Sequence, residues 1–429
     1  MFSFKVGVAG FEPAASTSQT WRDNRATLHP ELVTFLRSAN ILFLLTVTIN
    51  IICKFLQTLK MCKSTLIFYV LLIQVTFTSA QDKKNILSHD YTHTVVVNDL
   101  KIPWGFVFLP DNSILITEKS GELIHFINGK KTLVKGLPKI KVLGQGGLLD
   151  IALHPKYDDN GWIYLSYASS NGIGEGANTA IMRGKLQNNV LTETQVLYKA
   201  SPNSTKGQHF GSRIVFDENG YLFFTIGDRG NRDLNPQDIT RDGGKVYRLL
   251  DNGSVPKDNP FYNIANAKRS IYSYGHRNPQ GMILHPESKD IWIHEHGPRG
   301  GDEINIIKAG KNYGWPIVSY GINYSGTKFT DLTSAPDMEQ PIHYWDPSIA
   351  PSGMMLLTSN NYSKWKGNLF VGSLKFQYLN RCVIENNKVI KEERLLDGLG
   401  RVRSIVQGPD GFIYVGIENL GIVKIIPKN

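Results

Sequence analysis

Four short segments of this 429-residue sequence hold residue types that can do chemistry. In Gly207-Gln208-His209-Phe210-Gly211-Ser212-Arg213 an imidazole stands among glycines, where a loop can turn closely around a ligand. A neutral imidazole there is a general base near neutral pH, and a structural hydrogen-bonding His is the alternative. His276-Arg277-Asn278-Pro279-Gln280-Gly281 gathers polar groups that can face one cavity, with a planar guanidinium fork at Arg277, or else forms a rigid polar turn fixed by Pro279. The segment from Glu295 to Asn305 is the richest. Its Gly and Pro residues expose main-chain carbonyls and its Asp302 and Glu303 supply hard anionic oxygens, both suited to calcium, without the acidic ladder of an EF-hand loop. His294 and His296 alternate with Glu295 and no third imidazole is in view, which argues against a transition metal. Finally, Leu374-Lys375 follows a strand-like run, and Gly400-Arg401-Val402-Arg403 puts two guanidinium groups on one face at strand spacing. Such a pair repels unless an anion lies between its members or water screens them; an anionic ligand and an exposed edge are the two readings.

The elements that must carry these segments are strands. From Gln81 onward short apolar and aromatic runs are broken by Gly, Asn, Asp and Pro, an all-β signature. One pattern recurs six times: a polar turn followed at once by an aliphatic or aromatic strand. The copies are residues 110–117, 159–166, 217–225, 288–294, 366–372 and 409–416. Six degenerate repeats at such intervals predict a six-bladed β-propeller over 81–429 as one domain, with a sandwich array as the competing architecture. In a propeller the loops of several blades converge at one axial end, so the four segments are expected there, between repeats.

Residues 61–80 have a charged start, a short apolar stretch and Thr78-Ser79-Ala80 before Gln81, the pattern of a secretory signal peptide. An exported protein, periplasmic or extracellular, with no stable membrane association after cleavage, is the expectation. Residues 1–60 read as an upstream segment ahead of a true start at Met61, an N-terminal membrane anchor being the alternative. The formal charge is +10. Lys and Arg are scattered, and no basic run follows residue 80, so a nucleic-acid partner is not expected. Of Cys53, Cys62 and Cys382, only the last lies in the expected mature chain, where a buried inert thiol is the simplest role. The sequence has no dinucleotide-binding glycine fingerprint, P-loop or serine-hydrolase elbow.

Taken together, Ile102-Pro-Trp-Gly-Phe, the Gln145-Gly-Gly-Leu-Leu-Asp-Ile-Ala-Leu-His-Pro run, the four segments above and Gly-Pro-Asp-Gly-Phe-Ile-Tyr resemble the soluble quinoprotein glucose/sorbosone dehydrogenases, most closely the aldose sugar dehydrogenase branch. The resemblance implies an enzyme that uses pyrroloquinoline quinone and calcium to oxidise the anomeric hydroxyl of aldoses to lactones, passing electrons to an external acceptor, as a monomer or homodimer. It implies His209 as general base, Gln145 lining the site, and Arg277 and Asn278 on the reactive quinone carbonyls, with Arg277 also catalytic. Tyr324, Ser373-Leu374-Lys375 and Arg401-Val402-Arg403 are the remaining implied cofactor contacts. Gly297 and Pro298 would hold one calcium through main-chain oxygens, and Glu303 and Tyr313 a second. One departure stands out. Gln208 precedes the base where the glucose-specific branch has an Asp, so a different tuning of His209, or another partner for it, is expected. The competing functions are a non-catalytic glycan- or protein-binding propeller and a calcium-dependent lactonase, which would need a ring of carboxylate and Asn ligands on the axis.

Overall fold

The computed structural model describes residues 91–428; the upstream segment and the signal peptide read from the sequence lie outside them. The described residues form six four-stranded antiparallel sheets arranged as a six-bladed β-propeller. Blade one is β2 to β5 (Pro103–Phe108, Ile114–Glu118, Glu122–Ile127, Lys130–Val134). Blade two is β6 to β9 (Leu148–Leu153, Trp162–Ser169, Asn178–Gln187, Val190–Lys199) and blade three β10 to β13 (Ile214–Phe216, Leu222–Ile226, Lys245–Leu249, Ile271–Tyr274). Blade four is β14 to β17 (Pro279–Leu284, Ile291–Glu295, Asp302–Ile307, His343–Trp345) and blade five β18 to β21 (Pro351–Leu356, Leu369–Ser373, Tyr378–Glu385, Lys388–Leu395). Blade six takes β22 to β24 (Val402–Gln407, Ile413–Ile417, Gly421–Pro427) and closes with β1 (Tyr91–Asn98) as its outermost strand. The first described strand therefore pairs with the last, His93 facing Ile425 and Val95 facing Val423. This clasp closes the ring of blades by pairing the first described strand with the last.

The six sequence repeats fall at one place in every blade: the turn into the second strand, and that strand itself. These strands read as near-continuous apolar runs because neighbouring blades cover both their faces. Ile114–Glu118, Leu222–Ile226, Ile291–Glu295, Leu369–Ser373 and Ile413–Ile417 are buried at every position. Outer strands such as Val190–Lys199 and Lys388–Leu395 are exposed or half-buried at all but one position each. Six apolar clusters fill the six junctions between adjacent blades, so burial closes the ring like the strands do.

The first strands line the axis, and in five blades the ladder slips near their start, between Pro103 and Gly105, Leu148 and Ile151, Pro279 and Gly281, Pro351 and Met354, and Val402 and Ser404. A bulge re-aims the side chains beside it. The axis holds two cavities, one toward each end. The upper takes Trp104, Leu149, Gln280 and Arg403, while the lower takes residues further along the same strands, Gly105, Asp150, Met282 and Ser404. Between them the buried Arg213 guanidinium pairs with Asp150 at 2.8 Å and donates to the carbonyls of Gln280 and Arg403. Four blades are thereby braced across the axis, and Trp104 lies under the same guanidinium, 4.1 Å from its ring centroid.

Candidate active site

The upper cavity, of about 430 Å³, draws its walls from all six blades, through residues including Trp104, Gln145, Phe210, Gln280, Leu374 and Arg403. His209 stands beside it, between two lining residues, Gln145 and Phe210. Its backbone takes the left-handed conformation (φ 57°), tolerated by His better than by most non-glycine residues. Gln145 holds the loop twice, its N–H donating to Gly207 O at 2.6 Å and its Oε1 accepting from His209 N at 2.8 Å. Gly227 passes so closely beneath that a Cβ there would come 2.5 Å from His209 O.

The imidazole has the partner that Gln208 does not supply. His209 Nδ1 lies 2.6 Å from Asp228 Oδ1. The Asp228 carboxylate is buried, yet the hydrogen bond and charge of His209, with Arg277 and the Gly230 N–H, hold it below the usual range. An ionised carboxylate only accepts, so Nδ1 carries the proton and Nε2 keeps its lone pair. Nε2 makes no hydrogen bond among the described residues. Burial keeps the imidazole pKa below its ordinary value, Arg277 adding to the effect and Asp228 opposing it. The other oxygen of Asp228 accepts from Trp315 Nε1 at 2.9 Å. Trp315 in turn lies beside Arg277, 5.3 Å from its guanidinium carbon.

Arg277 and Asn278 are buried next to this pair. Arg277 Nη1 donates to His296 O at 3.2 Å, and Asn278 Oδ1 accepts from Gly211 N at 3.1 Å. Arg277 Nε and Asn278 Nδ2 are buried donors with no partner in the protein, as expected of groups that receive a ligand's oxygens. Of the other expected cofactor contacts, Gln145, Leu374, Arg401 and Arg403 line the cavity. Lys375 follows Leu374 on the exposed side of the turn, and Ser373 is buried with its hydroxyl on Ile349 O at 2.8 Å. The Val402 side chain lies in the apolar junction of blades five and six. Tyr324 is 74 % exposed, outside the cavity wall.

The two arginines share an anion supplied by the chain itself. Glu418 accepts from Arg401 Nε at 2.8 Å and from Arg403 Nε at 3.0 Å. Lys119 joins them on the cavity wall, its pKa lowered by burial and by Arg403. Sequence reading missed Asp228, Trp315, Lys119 and Glu418. Their signal was positional: Asp228 and Glu418 lie one or two residues past the ends of the second strands of blades three and six.

The segment from Glu295 to Asn305 folds into a turn of carbonyls. A Cβ on Gly297 would meet Gly300 O and Gly301 O, each at 2.3 Å. Asp302 is committed to the protein, accepting from Gly297 N, Ser348 Oγ and Ala350 N at 2.8 to 2.9 Å. His294 and His296 point their Nε2 atoms at the carbonyls of Gly353 and Pro351. A space of about 20 Å³ beside this turn is lined by Glu295, Gly297, Glu303 and Tyr313. Glu303 faces Glu295 across the ladder, and burial, reinforced by Glu295, pushes its pKa up to about 8. Two carboxylates around a space this size suit one hard cation. The Tyr313 hydroxyl is spent on Ile306 O at 2.6 Å, which leaves its main chain as the possible ligand. Among the described residues no group of three His, Cys, Asp or Glu side chains is placed to hold a metal, so any cation here relies on main-chain oxygen.

The family described as Glucose / Sorbosone dehydrogenase matches residues 100–423. The chain belongs to this family. It is similar to the aldose sugar dehydrogenase YliI of Escherichia coli (strain K12), 41 % identical over 345 residues, which cover 78 % of this chain and 92 % of that protein. It is also similar to quinoprotein glucose dehydrogenase B of Acinetobacter calcoaceticus, 31 % identical over 323 residues, 68 % of this chain and 65 % of that one. Among solved structures, the soluble aldose sugar dehydrogenase of Escherichia coli in its apo form superposes with a TM-score of 0.76 at 40 % identity, covering 79 % of this chain and all of the other. In this member of the Glucose / Sorbosone dehydrogenase family the His209–Asp228 pair, the unpartnered Arg277 and Asn278 donors and the cation-lined cavity stand at one end of the axis. Membership of the family makes an oxidoreductase the supported class.

Proposed function

We propose that the protein is a quinone-dependent aldose dehydrogenase that oxidises the anomeric hydroxyl of sugars to lactones, with pyrroloquinoline quinone and calcium as cofactors. The observation that carries this reading is the His209–Asp228 pair: a base with its tautomer fixed, beside a cavity with unpartnered donors and three cations.

The residues fit the cofactors. Arg277 Nε and Asn278 Nδ2 offer donors for ring carbonyl oxygens, Trp104 and Phe210 give aromatic walls, and Lys119, Arg401 and Arg403 suit carboxylates. The carbonyl turn at Gly297 and Pro298 and the Glu295–Glu303 space suit calcium. Bound pyrroloquinoline quinone supplies a two-electron acceptor for the hydride of the sugar carbon, and calcium polarises it. His209 Nε2 takes the hydroxyl proton. Asp228 keeps the ring oriented and stabilises the imidazolium that results. Arg277 places positive charge where negative charge grows. An external electron acceptor would complete the turnover by taking up the two electrons removed from the sugar. Export through the leader at 61–80 would place the enzyme in the periplasm or outside the cell.

The test is dye reduction by residues 81–429 over a panel of aldoses, with and without added quinone and calcium, beside His209→Ala. Activity that needs both additions and falls roughly a hundred- to ten-thousand-fold in the variant is the expected result. Failure to bind quinone would return the protein to the binding-propeller reading.

A further inference from the structure

A second polar cavity, of about 160 Å³, lies between blades two and three and is lined by Ser201, Ser204, Lys206, Arg229, Asn231 and Arg241, among others. None of its three cations, Lys206, Arg229 and Arg241, has a carboxylate within ion-pair distance among the described residues. Arg229 is 1 % exposed. Its Nη atoms are held by main-chain oxygens of Gln208, Lys206 and Ala177, and its Nε is buried without a partner. Arg241 uses Nε on Asn235 Oδ1 at 3.1 Å, leaving its Nη donors free, and Lys206 reaches only Gly230 O. The one carboxylate on the wall, Asp242, is already satisfied. It pairs with Lys268 at 2.8 Å and accepts from Tyr198, Tyr247 and the Ser201 N–H. The asparagines behind the wall are likewise spent on carbonyls, Asn178 on Pro202 O and Asn235 on Asp228 O.

Three cations around one small space, none of them in a direct ion pair among the described residues, repel one another, and an anion would relieve that energy. Burial lowers the pKa of nearby Lys199 to about 8, with Asp242 opposing and Arg229 adding to the shift. From this geometry we infer that the cavity is a binding site for a small oxyanion, phosphate-like or carboxylate, held by Arg229, Arg241 and Lys206. It is separate from the upper cavity. Phe210 stands between the two, lining the upper one while the Arg229 guanidinium carbon sits 3.5 Å from its ring centroid. Because Arg229 follows Asp228 and holds the carbonyl of Gln208, an anion here sits directly behind the loop of the base.

The test needs no cofactor and no turnover. Inorganic phosphate and, separately, acetate are titrated calorimetrically into the protein at constant ionic strength, and into Lys206→Gln, Arg241→Gln and Arg401→Gln. Saturable binding that weakens about tenfold in each of the first two variants, the worth of one charge-assisted hydrogen bond, and is unchanged in the third is the expected result. Tighter phosphate than acetate identifies a tetrahedral anion, and the reverse a carboxylate. Lys206 is exposed, so its variant folds even if Arg241→Gln does not. Absence of saturable binding for both anions, or binding lost in Arg401→Gln but kept in Lys206→Gln, overturns the inference.

Discussion

At the scale of single residues the site depends on Asp228. It fixes the proton on Nδ1 of His209, and it raises the imidazole pKa against the depression caused by burial and Arg277. Because the net shift is downward, the base stays neutral below about 6.5, its ordinary value, and the acid limb of kcat/KM against pH should lie under it. Asp228→Ala removes the opposing contribution, so that limb moves lower still while kcat falls; a limb that moves up would refute the pairing. Glu418 works in the other direction. It neutralises Arg401 and Arg403 internally, so Glu418→Gln should tighten quinone binding at low salt and steepen its salt dependence, measured by fluorescence titration at several ionic strengths. His209, Arg277 and the two arginines were legible from type and local context. Asp228, 19 residues from the base, and Glu418 were not, because a pairing across the top of a blade has no signature in local spacing.

At the scale of elements the repeats were legible because the second strand of each blade is buried on both sides and cannot vary much in character. Their loops were harder to read. The contacts at Tyr324 and Val402 were implied by the resemblance alone, and the structure puts the Tyr324 side chain in solvent and the Val402 side chain in the junction of blades five and six. The strand-end turn at Gly227 is closely packed against the base. Gly227→Ala would drive a methyl into His209 O and Asn278 Oδ1, so activity should drop sharply while the melting temperature falls by only a few degrees, a cost of about 1–3 kcal/mol. The clasp strand makes a different prediction. A chain begun at Leu100 lacks β1, exposes the edge of β24 and loses the Tyr91 hydroxyl on Leu396 N. It should be poorly soluble and melt early, whereas a chain begun at Gln81 should not.

For the whole molecule the propeller was legible from the count of repeats, and the clasp was not, because a strand far from its partner in sequence resembles any other strand. The carbonyl turn at Gly297 and the Glu295–Glu303 space lie between β15 and β16, which the proposed calcium would tie together. Calcium should therefore raise the melting temperature, a ligand at a hundred times its Kd adding about 2.7 kcal/mol, and a chelator should reverse the gain. A flat response of the melting curve to both would remove calcium from this part of the reading.

The brace of Arg213 and Asp150 across the axis has a kinetic consequence. With Arg213 and Asp150 standing between it and the lower cavity, the upper cavity is expected to be entered from its own end of the axis, where sugar, product and electron acceptor would all pass. Under the proposed chemistry they take turns. Initial rates at several fixed acceptor levels should give parallel double-reciprocal lines, and a large excess of either partner should slow the other by occupying the mouth out of turn.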